Sequence, residues 1–397
     1  MTYMTQNKEI YLDNAATTYC NGEVFYAMQS YFITNYGNPN SLHEIGYIAR
    51  KAINEARVNV AKIINADPDE IYFTSSATEA NNWAIKGIVS ASPIKRILIS
   101  AIEHPSVTET ARWLTEKGVE VEYIKVDENG IISIPDLLSK LSKPTCLVSV
   151  MTANNEVGTV QYINTIANIC SQNNVYFHTD ASQALESVSI NVKEMDITSL
   201  AISGHKIYGP KGVGAIYIKR GTRLDAFIHG GYQESGMRAG TYNLPAIVGL
   251  GKAVEICMRD SSTNNARIKK LRDYFITEVE KSISGVKLNG HRNQRLNNNV
   301  NFSFQGVSGE SVVALLDFEG IRVSTGTASC SEKMTRSHVL QAMNVNDDYI
   351  NGAVRFTLGR ATTKEDLDYT VNALVNVIKK LRSISPISVK AEVTENV

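Results

Sequence analysis

Between about residues 70 and 220 the chain alternates short β-branched apolar runs with stretches of helical periodicity, a rhythm few folds accommodate. The runs at 71–74, 96–100, 121–126, 147–151, 175–178, 200–202 and 215–218 read as strands, with helix-like stretches such as 78–90 and 165–172 between them. Strands linked through helices run parallel, because each crossover carries the chain back to the edge it started from. The sequence therefore predicts an α/β protein with a mostly parallel sheet in a large domain. After it, the polar stretch 259–265 reads as a linker. An amphipathic helix over 266–282, strand-like segments at 299–304 and 355–358, and further helices then predict a smaller α+β domain. The expected division is a large domain over 16–258 and a small one built from 1–15 plus 259–397, with 384–397 frayed.

A chain of 397 residues has room for both units, and 43% hydrophobic against 20% charged residues excludes a disordered chain. Forty Lys and Arg balance forty Asp and Glu, which removes the broad positive field that non-specific nucleic-acid binding needs. No apolar run approaches the ~18–20 residues of a membrane span. The opening residues 1–9 have neither the basic nor the apolar stretch of a signal peptide. The expectation is a cytoplasmic protein with no membrane and no direct nucleic-acid partner.

Five cysteines, at 20, 146, 170, 257 and 330, are widely spaced and form no Cys-x-x-Cys pair, which argues against a disulfide framework or a zinc cluster. Cys146, Cys170 and Cys257 sit in apolar patterns and read as buried packing residues. Cys330 instead lies in Val323-Ser324-Thr325-Gly326-Thr327-Ala328-Ser329-Cys330-Ser331, a run with almost nothing to bury. A thiol there is expected to be exposed, mobile and reactive, on a loop spanning about 323–337.

In open α/β sheets ligands bind just beyond the carboxyl ends of the strands. Polar or reactive residues follow five of the predicted strands: Ser75-Ser76-Ala77-Thr78-Glu79, Glu103-His104-Pro105, Asn154-Asn155-Glu156, Thr179-Asp180 and Ser203-Gly204-His205-Lys206. A parallel sheet brings all five to one edge. Ser75 to Glu79 passes from strand into helix and offers a phosphate site, or simply an N-cap. Lys206, desolvated at a strand end, can form a Schiff base with a carbonyl cofactor, whereas Lys211 in the following glycine-rich loop reads as solvated. Asp180 can pair with a protonated pyridine nitrogen or cap a helix. His104 can stack on a ring and carry protons, or be a structural histidine.

Together with Asp13-Asn14-Ala15-Ala16-Thr17-Thr18, Ala153-Asn154-Asn155-Glu156-Val157-Gly158-Thr159, Ser203-Gly204-His205-Lys206, Gly209-Pro210-Lys211-Gly212-Val213-Gly214, Arg238-Ala239-Gly240-Thr241 and the segment 355–363, these motifs span nearly the whole chain. In them the sequence resembles the cysteine desulfurases, in the class V, fold-type I group of pyridoxal-phosphate enzymes. The distance from the cysteine loop to Ser337-His338-Val339-Leu340 is similar to the long-loop group. The resemblance implies L-cysteine as substrate, L-alanine as product, pyridoxal 5'-phosphate as cofactor and no metal. It implies that Lys206 attaches the cofactor and moves protons, and that Ala77, Thr78, Ser203 and His205 hold its phosphate. Thr241 would reach the phosphate of the neighbouring subunit in a homodimer. Asp180 would pair with the ring nitrogen, Gln183 with the ring hydroxyl, and His104 would stack. Asn155 and Arg355 would bind the substrate carboxylate. A persulfide on the enzyme's cysteine would pass to an acceptor protein: an iron–sulfur scaffold, a tRNA-thiolation component or a DNA-phosphorothioation component.

The sequence departs from the family at three places. The nucleophile's usual position holds Ser329, with Cys330 one residue later. Either Cys330 serves after a one-residue shift, or persulfide transfer is impaired and the fold does other work. A persulfide cannot form on serine. Ser76 stands where glycine is common, and Arg336 where proline is usual, which implies a less rigid loop end. The competing readings are a lyase resembling selenocysteine lyase, an aminotransferase that does not need Cys330, and a catalytically weak scaffold for an acceptor. The presence of Lys206, Asp180, His104 and Arg355 weighs against the last.

Overall fold

The computed structural model describes residues 9–325 and 336–384. Cys330 and the frayed segment expected beyond 384 therefore lie outside the described residues.

The chain's first strand, β1 (Ile10–Tyr11), precedes two helices, Gly22–Ile33 and Glu44–Ile63. The central sheet then forms from β2 (Ile71–Thr74), β3 (Arg96–Ser100), β4 (Glu120–Ile124), β5 (Leu147–Ser149), β6 (Tyr176–Asp180), β7 (Ser199–Ser203) and β8 (Gly214–Ile218). Their order is β2-β8-β7-β6-β5-β3-β4. The pairs β3–β4, β3–β5, β5–β6 and β6–β7 are parallel, while β8 runs antiparallel to both β7 and β2. The connection 204–213 between β7 and β8 carries no α-helical crossover, so the chain reverses there. That reversal is why the predicted parallel sheet has one antiparallel member.

In this sheet β3, β5, β7 and β8 are buried along their whole length, as expected of a sheet covered on both faces. The helix Glu44–Ile63 buries Ala49, Ala52, Ile53, Ala56 and Val60, a stripe at helical spacing. It crosses a long second helix at Gly251, where any Cβ would lie 2.6 Å from Ala56 Cβ.

That second helix, Leu244–Ser282, corrects one reading of the sequence: residues 259–265 are no linker but the middle of a continuous 39-residue helix. Nothing in Arg-Asp-Ser-Ser-Thr-Asn-Asn breaks a helix; the stretch is polar because little there packs against the core. Beyond it β9 (Val286–Leu288), β10 (Asn299–Phe304) and β12 (Ala353–Thr357) form a three-stranded antiparallel sheet, and β11 (Ile321–Arg322) pairs with β1. A separate core gathers Phe275, Phe302, Phe304 and Phe356 with Ile10 and Leu12, so the chain's start packs with its end.

Cys146, Cys170 and Cys257 are buried, and burial pushes the thiols of Cys170 and Cys257 up to about 12, leaving them unreactive. Cys20 is exposed.

Candidate active site

A cavity of about 370 Å³ opens at the carboxyl edge of the sheet, and residues following β2, β3, β5, β6 and β7 line it. The convergence expected from the topology is present, with each segment held there by its own local structure.

The helix Ala77–Ala91 begins at the cavity wall, with Ser76 as N-cap accepting from the Glu79 N–H at 3.2 Å. Ser76 is extended, with φ at −171°, so serine is accommodated here without the conformational freedom of glycine. Glycine is needed opposite for space instead: at Gly214 of β8 a Cβ would meet the Ser76 carbonyl carbon at 2.7 Å. The backbone at Ala77 and Thr78, with no intrahelical acceptors for its first N–H groups, lies along the cavity beside Ser203 and His205. Burial, followed by the charges of Lys206 and Lys211, pushes His205 down to about 4, so its ring is neutral. Its Nδ1 lies 3.0 Å from Thr17 Oγ1.

Lys206 follows β7 on a short turn, Gly204–Lys206, and its Nζ donates to the carbonyls of Ala15 and Ala16. Burial, then the positive charge of Arg355, lowers its pKa to about 8, so a large share of the amine is neutral at mildly alkaline pH. Asp180 ends β6; its Oδ1 accepts from Ser182 N at 2.9 Å and its Oδ2 from Asn81 at 2.7 Å. Gln183 lies beside it and donates to Ala15 O. His104 caps the helix Pro105–Glu116, its Nδ1 accepting from Ser106 N at 3.1 Å, and burial lowers its pKa.

Arg355, on β12, reaches across from the small sheet with a side chain 4% exposed. It pairs with Asp13 at 2.9 Å and donates to Asn155 O at 3.1 Å, while its Nε has no hydrogen-bond partner among the described residues. The pairing with Asp13 went unread in the sequence, and two buried acids quoted there among the residues past the strands were given no role. Glu103 accepts from Met151 N at 2.6 Å, and burial raises its pKa well above the usual range. Glu156 accepts from Ser337 Oγ at 2.6 Å and is likewise raised by burial. Their place just past a predicted strand was the sequence signal for both.

Not every predicted residue is at this cavity. Thr241 is exposed and is not part of the lining. Its segment is anchored nearby, for Arg238 pairs with Glu79 at 2.7 Å. Cys330 and Ser329 lie outside the described residues, but the chain on either side is placed. Ser324 bridges Arg355, and Ser337 caps the helix His338–Ala342, where His338 Nε2 lies 2.9 Å from Glu103 O. Arg336 pairs with Asp347.

The residues fit a phosphorylated, ring-bearing aldehyde. The desolvated Lys206 amine suits covalent attachment, Asp180 suits a ring nitrogen, the helix start suits a phosphate, and Arg355 Nε and Ser182 Oγ, without hydrogen-bond partners among the described residues, offer unused polar capacity. Among the described residues no group of His, Cys, Asp and Glu could hold a metal ion.

Residues 10–370 match the family described as aminotransferase class-V. The chain is 49% identical over 381 residues to a protein of Dictyoglomus turgidum named cysteine desulfurase IscS, covering 96% of this chain and 97% of that one. Among solved structures, a NifS-like protein gives a TM-score of 0.87 at 35% identity, covering 94% of this chain and 100% of its own. A structure described as SspA in complex with cysteine gives 0.79 at 32% identity, covering 90% of this chain and 100% of its own.

Proposed function

The chain belongs to the aminotransferase class-V family and is a pyridoxal-phosphate-dependent cysteine desulfurase, and we propose that it takes sulfur from L-cysteine as a persulfide on Cys330. The observation that carries the site assignment is the convergence of a desolvated lysine, an acid, a neutral histidine and a phosphate-ready helix start on one cavity under Arg355.

When bound, pyridoxal phosphate supplies an electron sink that stabilises negative charge at the substrate's alpha carbon and makes its sulfur electrophilic. Lys206 attaches the cofactor and afterwards carries a proton to and from the alpha carbon, a role its lowered pKa suits. Ala77, Thr78, Ser203 and His205 hold the phosphate, Asp180 and Gln183 the ring nitrogen and hydroxyl, and His104 covers the ring. Asn155 and Arg355 orient the substrate carboxylate; the planar guanidinium, fixed by Asp13, presents a preset fork. In the net step the Cys330 thiolate bonds to the substrate sulfur as the carbon–sulfur bond breaks. Its electron pair returns to carbon, which is protonated to give L-alanine, and the enzyme keeps the extra sulfur. An acceptor protein in iron–sulfur assembly, tRNA thiolation or DNA phosphorothioation then takes it.

The proposal includes a homodimer in which Thr241 serves the partner's phosphate, a large domain over 16–258 with the remainder forming the small one, and a cytoplasmic location. Among the described residues no helix is long and apolar enough to cross a membrane.

Persulfide mapping by mass spectrometry after incubation with L-cysteine tests the reading. A persulfide on Cys330 with stoichiometric alanine is expected, and Cys330→Ala should lose both. Alanine formed undiminished by Cys330→Ala would replace the proposal with a lyase route.

A further inference from the structure

Behind the cavity wall, on the helix Ala77–Ala91, Asn81 is fully buried and its amide is spent entirely on three side chains. Its Nδ2 donates to Asp180 Oδ2 at 2.7 Å and to Ser106 Oγ at 2.8 Å, and its Oδ1 lies 2.9 Å from His178 Nε2. None of these contacts belongs to the chemistry described above.

Proton counting fixes the direction of every bond. A carboxylate only accepts, so the Asn81 NH2 must face Asp180, and its oxygen is left facing His178. That oxygen only accepts, so His178 carries its proton on Nε2. Burial pushes His178 down to about 4, so the ring is neutral, and its bare Nδ1 accepts from Ser199 Oγ at 2.9 Å. Ser106 Oγ already accepts from Asn81, and its own proton points to His104 Nδ1 at 2.9 Å. The Ser106 N–H converges on the same nitrogen. Two donors on Nδ1 leave His104 neutral, with its one proton on Nε2.

We propose that Asn81 is a positioning residue whose single amide fixes both the orientation of the Asp180 carboxylate and the tautomer that His104 presents to the cavity. The inference rests on the reading that Asp180 and His104 face the cofactor, and it deepens that reading. The two groups belong to different strand ends, each held also by one backbone N–H, that of Ser182 on Asp180 and that of Ser106 on His104. Through Asn81 they share one hydrogen-bond chain, His178–Asn81–Asp180 on one arm and Asn81–Ser106–His104 on the other.

The test is carried out on holoenzyme labelled with 15N-histidine, with His104 and His178 signals assigned by His→Gln variants. Both rings should show the neutral Nε2–H signature at pH 7 to 8 in the unaltered protein. Asn81→Leu keeps the branched shape and removes every bond. It should mix the tautomers of both histidines, speed loss of pyridoxal phosphate to a trapping agent, and lower kcat by roughly tenfold or more while KM for L-cysteine stays within about threefold. Ser106→Ala should disturb His104 alone and leave cofactor retention unchanged, and Ser106→Thr should restore the His104 signal. An Nδ1–H signature on His104 in the unaltered protein overturns the proposal, as does an Asn81→Leu protein with unchanged histidine signals and kcat. If Asn81→Leu does not fold, the serine pair decides, and no difference between Ser106→Ala and Ser106→Thr sinks the idea. Absence of alanine formation in the unaltered protein would count against the desulfurase reading instead, while the histidine signals would still report on Asn81.

Discussion

A lysine removed from water beside a guanidinium holds its proton poorly, and this governs Lys206. Its pKa of about 8 lies below that of a solvated lysine, so the amine is half neutral at about pH 8 and saturates roughly one to two units above it. Attachment of pyridoxal phosphate to cofactor-free protein, followed by visible absorbance, should accelerate with pH through a midpoint at about 8 and level off before about pH 10. A rate still climbing past pH 10 would mean that burial and Arg355 do not act on Lys206 as the geometry requires. Lys206, Asp180 and His104 were legible because a topological rule links sequence position to site: each stands just past a strand. Asn81 was not, although it lies in the helical stretch read at 78–90. Its meaning depends on Asp180, 99 residues away, and only the fold brings the two side chains together. Asp13, quoted in a motif, was given no role for the same reason, its partner Arg355 lying 342 residues along the chain.

At the scale of elements, strand positions were readable almost to the residue: β2, β3 and β10 fall where the apolar runs place them. Their ends define the cavity, so most of the site came with them. The antiparallel β8 and the long helix were not readable from periodicity. In the first case the connection sets direction; in the second a solvated helical middle has no apolar stripe to betray it. The helix Leu244–Ser282 makes a sharp prediction at Ser262, in the middle of the presumed linker. Ser262→Pro should cost about 3 kcal/mol or more, because proline removes a hydrogen bond and clashes with the preceding turn. Ser262→Ala should be neutral or stabilise by about 0.5 kcal/mol. Denaturant midpoints check both. Equal midpoints for the two variants would restore the linker.

For the whole molecule, the decisive feature is the apolar surface of the N-terminal helices. Phe25, Tyr26, Phe32, Ile33 and Tyr36 are exposed, Leu42 is 96% exposed, and Tyr47 continues the patch onto the second helix. So many exposed aromatic and aliphatic side chains in one stretch of chain are what the proposed homodimer would use as its contact. Thr241 is exposed as well, and the ion pair between Arg238 and Glu79 holds its segment against the start of the helix proposed to receive the phosphate. Burying the aromatic face against a second copy and completing each cavity with the other's Thr241 would satisfy both observations with one symmetric contact. Light scattering should therefore give twice the chain mass. Tyr26→Asp with Leu42→Asp should shift the protein toward monomer and weaken cofactor retention by roughly tenfold or more, the loss of a hydrogen bond to a charged group. Thr241→Ala should weaken retention without dissociating the dimer. Separating the two effects is the point of the pair: a monomer that keeps its cofactor as well as the dimer does would remove Thr241 from the site, and an aspartate variant that stays dimeric would move the interface elsewhere.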